Sequence, residues 1–155
     1  MNEEVIRRLA ESLTADSTDI IPYLPYLLQD FWSLGSEPDE MIGLLRAHTD
    51  FGPESRLLDL ACGKGAVAIR LAKEFGCTAK GIDLIPDFII EAREKAVEHG
   101  VMEHCAFLTC DVNEAVTAER DYDHGLCGGS ATCGGANPKK SDAHPAPSTR
   151  AGTQA

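Results

Sequence analysis

The chain has 155 residues, enough for one domain and short of two. It carries 14 Lys and Arg against 25 Asp and Glu, a net charge of −11. That balance argues against a nucleic-acid backbone as partner, whose binding draws on clustered cations. No apolar run approaches the roughly 20 residues of a membrane helix, so neither nucleic acid nor membrane is expected as a partner. The N-terminus is polar and acidic, without a signal-peptide pattern. Cys62, Cys77, Cys105, Cys110, Cys127 and Cys133 are therefore read as reduced thiols of a cytoplasmic protein. Cys127, Cys133 and His124 fall short of the four closely spaced ligands of a structural metal site, and no metal is expected.

Val5, Ile6, Leu9 and Leu13 recur at helical spacing and predict a first helix. A polar break follows at Thr14–Asp19. Pro22 and Pro25 lie in the apolar stretch Ile21–Trp32 and predict a turn, then a short helix beginning near Pro25. Ser36–Asp39 reads as a helix start, with Pro38 in the first turn and Met41, Ile42, Leu44 and Leu45 facing inward. Residues 1–52 are thus expected to form a helical extension.

Residues 53–127 alternate between strand and helix. Arg56–Ala61 predicts a strand, and Ala66–Glu74 a helix with Val67, Ile69, Leu71 and Ala72 inward and Gly76 as its stop. Thr78–Asp83 follows as a strand, Asp87–His99 as a helix with Phe88, Ile89, Ile90, Ala92, Ala96 and Val97 as its apolar residues, and Cys105–Cys110 as a third strand. Asp123–Cys127 is a poorer fourth, because His124-Gly125 interrupts it. This alternation implies βαβ units and an α/β fold with a doubly wound parallel sheet. After Leu126 there is no Val, Ile, Leu, Met, Phe, Tyr or Trp. Residues 128–155 are expected to be a disordered tail, since they have too little apolar surface to offset ordering entropy.

The chemistry centres on Leu57-Leu58-Asp59-Leu60-Ala61-Cys62-Gly63-Lys64-Gly65, a strand feeding a glycine turn and then a helix. Gly63 and Gly65 permit positive φ and close approach of a ligand. The helix N-terminus beyond them suits a carboxylate or phosphate. With Ala68 the pattern is G-x-G-x-x-A, which also fits a dinucleotide site. Asp83 lies 20 residues after Gly63, at the end of the second strand, where an acid accepts bonds from both ribose hydroxyls. Asp59 chooses among adenosine ligands. Its carboxylate repels a pyrophosphate and favours the ammonium and sulfonium of S-adenosylmethionine by roughly 1–2 kcal/mol. Asp111, at the end of the third strand, is placed to meet the adenine amino group. Cys62 is expected to be a small filler, Lys64 to be solvent-exposed, and His99 and His104 to be exposed. His48 is read as a helix-end residue, and no catalytic base is named.

At these residues the chain resembles the class I S-adenosylmethionine-dependent methyltransferases, over about Pro53 to Val116. Leu58–Gly65 matches the first motif, Gly81-Ile82-Asp83-Leu84 the second-strand acid, and Cys110-Asp111-Val112 the third-strand acid. The resemblance implies a Rossmann-like fold of the methyltransferase type. It implies a cofactor pocket lined by Asp59, Ala61, Gly63, Asp83, Asp111 and Val112, to which Cys62, Gly65 and Leu84 are added. The helical N-terminal zone resembles the lids that cover substrate in small-molecule members, with Tyr23, Tyr26, Phe31 and Trp32 as candidates for the substrate wall. The family has about seven strands, and this chain is read as carrying four of them. An incomplete C-terminal half and a truncated or frame-shifted product are therefore expected. Methyl transfer to a small-molecule nucleophile is the expected function. An NAD-dependent oxidoreductase and a non-enzymatic cofactor-binding fragment are the alternatives.

Overall fold

The computed structural model describes residues 3–118 and 121–127. Its strands are β1 (Arg56–Leu60), β2 (Thr78–Asp83), β3 (Cys105–Thr109) and β4 (His124–Cys127). All pair in parallel, in the order β3-β2-β1-β4. In β1, Leu57 and Leu60 lie opposite Ala79 and Ile82 of β2 on one side. They lie opposite His124 and Cys127 of β4 on the other. The apolar β1 therefore sits inside the sheet.

Strand alternation splits the core between the two faces. Leu57, Ala79, Cys105 and Phe107 pack with Ile69 and Leu71 of α4 (Ala66–Phe75) and Ile89, Ala92 and Ala96 of α5 (Pro86–Glu98). Leu58, Leu60 and Ile82 point the other way, onto Ala115 of α6 (Val112–Ala118). The connections β1-α4-β2 and β2-α5-β3 advance in one direction along the sheet. The next, β3-α6-β4, returns to the far side of β1. Right-handed crossovers put the helix of a reversed connection on the opposite face, which accounts for the position of α6. The reversal at β1 makes the C-terminal ends of β1 and its neighbours the binding edge.

The N-terminal segment covers that edge. It comprises α1 (Glu3–Ser12), a 3-10 turn (Thr18–Tyr23), α2 (Leu24–Leu27) and α3 (Pro38–His48). Ala10, Ile21 and Leu24 pack with Ile85 and Phe88, where β2 passes into α5. In α3, Ile42 and Leu45 join the same cluster as Ile69 and Leu57. Ion pairs Arg46–Glu74 and Arg70–Asp39 tie α3 to α4.

Strand and helix positions agree with the sequence reading to within one or two residues. Several faces differ. Leu44 is exposed, because the buried row of α3 is Pro38, Ile42 and Leu45 at helical spacing, and Leu44 falls outside it. Ile90 and Val97 are exposed for the same reason, while Phe88, Ile89, Ala92 and Ala96 are buried. Helix α6 was not anticipated. Strand β4 forms despite His124-Gly125, and the Asp123 carboxylate, just before it, accepts the Arg56 N–H at 2.9 Å. Cys62, Cys77, Cys105 and Cys110 are free thiols. Cys127 is in a disulfide, so the reading of the cysteines as reduced thiols fails there. The tail reading, 128–155, lies outside the described residues. Among the described residues no helix is long and apolar enough to cross a membrane.

Candidate active site

Strand β1 ends at Leu60, and the chain then turns sharply, with Ala61 at φ 55, Gly63 at φ 54 and Gly65 at φ 73. Ala61 holds a left-handed conformation that costs a residue with a Cβ roughly 1–2 kcal/mol. The turn is tied to β2 on two sides. Cys62 N–H donates to the Ile82 carbonyl at 2.9 Å. Gly63 N–H donates to Asp83 Oδ2 at 2.9 Å, and Ile85 N–H to Asp83 Oδ1 at 2.9 Å. Burial raises the Asp83 pKa above the usual carboxylate range, against the pull of the Ile85, Gly63 and Leu84 N–H groups. Asp83 thus orders the turn and, with lone pairs to spare, can still accept from a ligand.

Asp59 lies beneath the turn and is 2% exposed. It accepts the Ala68 N–H in the first turn of α4, as a capping carboxylate does. Its Oδ2 is buried with no hydrogen-bond partner among the described residues. Burial first, then the charge of Asp83, pushes its pKa up to about 7, opposed by the Ala68 N–H. An apposed cation would relieve both effects.

A cleft of about 340 Å³ opens above the strand ends. Six of the nine residues named from sequence line it: Ala61, Gly63, Asp83, Leu84, Asp111 and Val112. Asp59 and Cys62 do not. They border a smaller crevice of about 20 Å³ with Ser33, Ser36 and Ala61. Gly65 borders neither, and it packs closely on its neighbours. A Cβ there would lie 2.7 Å from Phe107 Cε1 and 3.1 Å from the Ala92 Cβ, so its glycine lets α4 approach β3 and α5. Burial pushes the Cys62 thiol pKa far up, helped by the charges of Asp59 and Asp83, consistent with an inert filler.

The roof of the cleft is the N-terminal segment: Val5, Arg8 and Leu9 of α1, then Leu24, Leu28 and Leu34. None of the four aromatic candidates for a substrate wall lines the cleft. Tyr23, Tyr26 and Phe31 are exposed and lie outside the cleft. Trp32 packs on the core, stacks on His99 at 4.8 Å and donates to the Lys64 carbonyl at 3.1 Å. His99 is therefore half-buried rather than exposed, while His104 and His48 are exposed.

Lys64 is the largest departure from the sequence reading. Expected in solvent, it is fully buried. Its ammonium donates to the carbonyls of Leu28 at 2.8 Å and Gln29 at 3.3 Å and pairs with Glu91 Oε2 at 3.0 Å. These acceptors offset its desolvation. They also join the roof, the turn and α5 into one unit. Nothing local to Gly63-Lys64-Gly65 signals this, because the acceptors are distant in sequence. Arg8 was missed for the same reason. It crosses from α1 to pair with Asp111, Nη2 to Oδ2 at 2.8 Å. The pKa of Asp111 is lowered overall: burial raises it, and bonds from Asn113 and the Arg8 charge outweigh that.

A parallel sheet with a left-handed turn after its central strand and acids at the ends of β2 and β3 defines an α/β cofactor-binding protein of the Rossmann-like class. Residues 57–141 match the family described as Methyltransferase domain, and the chain belongs to it. It is 34% identical over 55 residues to the geranyl diphosphate 2-C-methyltransferase of Saccharopolyspora erythraea, 36% of this chain and 19% of that protein. Among solved structures it resembles an RNA methyltransferase from Salinibacter ruber in complex with S-adenosyl-L-homocysteine, with 30% identity, a TM-score of 0.50 and 56% of each chain covered. It also resembles an S-adenosylmethionine-dependent methyltransferase from Thiobacillus denitrificans, in complex with the same ligand. That match has 25% identity and a TM-score of 0.55, and covers 69% of this chain and 42% of that one. The chain spans about a quarter to a third of the length of the first two curated relatives it matches, 24% and 33%.

Proposed function

We propose that the chain forms the cofactor-binding part of an S-adenosylmethionine-dependent methyltransferase acting on a small-molecule nucleophile. One observation carries the reading. Three carboxylates, Asp59, Asp83 and Asp111, surround a left-handed turn at the binding edge, and one oxygen of the buried Asp59 lacks a partner among the described residues. This set favours a cofactor with an ammonium and a sulfonium over one with a pyrophosphate. In this reading Asp83 accepts from the ribose hydroxyls, Leu84 and Val112 flank the adenine, and Asp59 attracts the amino-acid tail through the turn. Bound, the cofactor supplies an electrophilic methyl group. An acceptor held in line with its methyl–sulfur bond would receive that group, with sulfur as the leaving group and the acceptor's proton passing to solvent. Positioning in line with that bond supplies much of the rate and calls for no particular base.

The apolar roof over the cleft and the net charge of −11 support a small acceptor rather than a nucleic acid. Calorimetric titration with S-adenosylhomocysteine and with NAD tests the cofactor. Binding of the first is expected, and binding of NAD alone overturns the reading. Methyl transfer to RNA, with none to small nucleophiles, would overturn the acceptor class and leave the cofactor reading standing.

A further inference from the structure

Asp111 has more acceptor capacity than its neighbours use. Its Oδ1 takes the Asn113 N–H at 2.8 Å and the Asn113 Nδ2 at 3.0 Å. Its Oδ2 takes Arg8 Nη2 at 2.8 Å. A carboxylate offers about four lone-pair positions, so one remains, on the oxygen that already holds Arg8. Any donor bound there lies beside a guanidinium. Arg8 in turn lines the cleft, and its Nε–H is buried with no acceptor among the described residues. The pair therefore has one unused acceptor position next to unused donors, at the β3 end of the cleft.

The amino edge of adenine has the matching pattern. Its exocyclic amine is a donor, flanked by the ring acceptors N1 and N7. We infer that Arg8 of α1 is an adenine-binding residue, donating to the ring nitrogen beside the amino group that donates to Asp111. The inference rests on the adenosine cofactor proposed above and adds a residue from outside the α/β unit to its site. In this role α1 is part of the cofactor site as well as a cover over the substrate. Arginine suits the position better than lysine, because its planar fork holds the carboxylate and keeps further donors in the same plane.

The test measures binding of S-adenosylhomocysteine and its 1-deaza, 3-deaza and 7-deaza analogues to the full chain and to Arg8→Met. Methionine keeps an unbranched apolar stem and removes the donors. The wild type is expected to bind the parent and the 3-deaza analogue alike, and to lose roughly tenfold or more with either the 1-deaza or the 7-deaza analogue, as for a bond from a charged donor. Arg8→Met is expected to bind all four with one weakened affinity, and its retained binding of the 3-deaza analogue reports an intact fold. Equal wild-type affinity for all three deaza analogues overturns the inference whatever the variant does. So does the same ranking in wild type and Arg8→Met, which would make Arg8 only a latch for α1. Failure of the wild type to bind S-adenosylhomocysteine at all would instead sink the cofactor reading itself.

Discussion

Asp59→Asn separates the stability of this fold from its proposed function. The Asp59 pKa rises from 3.8 to about 7 on folding, with burial as the leading cause. The folded state therefore holds the proton more tightly than the unfolded chain does. The stabilisation from that proton is fully present below pH 3.8 and is lost as pH rises through 7. At about 1.4 kcal/mol per pKa unit, an ionised Asp59 leaves the fold some 4 kcal/mol less stable than a protonated one, to an order of magnitude. Asparagine removes that dependence and keeps an oxygen for the Ala68 N–H. Its NH2 replaces an oxygen that has no partner, a penalty that does not vary with pH. The informative quantity is thus the change with pH in the stability difference between variant and wild type. Urea unfolding from about pH 5.5 to about pH 8.5 is expected to show that difference moving by about 2 kcal/mol in favour of the variant as pH rises. Cofactor affinity should fall in the same variant, because the ammonium loses its counter-charge. Parallel pH profiles for the two proteins would refute the assignment of a buried, proton-holding Asp59.

Lys64→Met leaves Glu91 without its cation and frees the carbonyls of Leu28 and Gln29. A loss of about 2–4 kcal/mol in urea unfolding is expected, below the full figure for a buried pair because Glu91 is partly exposed. Gly65→Ala places a methyl group against Phe107 in a left-handed backbone and should cost roughly 3 kcal/mol by thermal unfolding. Adding Phe107→Leu should recover only the steric part. Asp83→Asn turns an acceptor into a donor facing the N–H of Gly63 or Ile85, and S-adenosylhomocysteine affinity should fall roughly tenfold or more by calorimetry.

The sequence carried the frame of this fold because local signals set it. A short, largely apolar run marks β1, the alternation with amphipathic helices places β2 and β3, and Gly76 at φ 71 closes α4 where the sequence predicts its stop. Six of the nine candidate residues reach the cleft because all lie at or just after strand ends, and a parallel sheet gathers those ends on one edge. The failures share a physical origin in distant partners. Lys64 meets Leu28, 36 residues away, and Arg8 meets Asp111, 103 residues away. Neither pairing leaves a periodic trace. Tyr23, Tyr26 and Phe31 are candidates for a wall only through the resemblance to lids, and in the structure it is Ile21 and Leu24 of this segment that turn inward. Gly65 was assigned to the ligand because a glycine in such a turn serves either close ligand approach or close helix packing. The position of Phe107 supplies the packing contact.

Titration of the full chain with S-adenosylmethionine across neutral pH tests the central claim most directly. Saturable binding is predicted, tightening as pH rises through about 7 while Asp59 ionises and before the ligand's ammonium loses its proton. Absence of binding, or binding that NAD displaces and that weakens as Asp59 ionises, would contradict it.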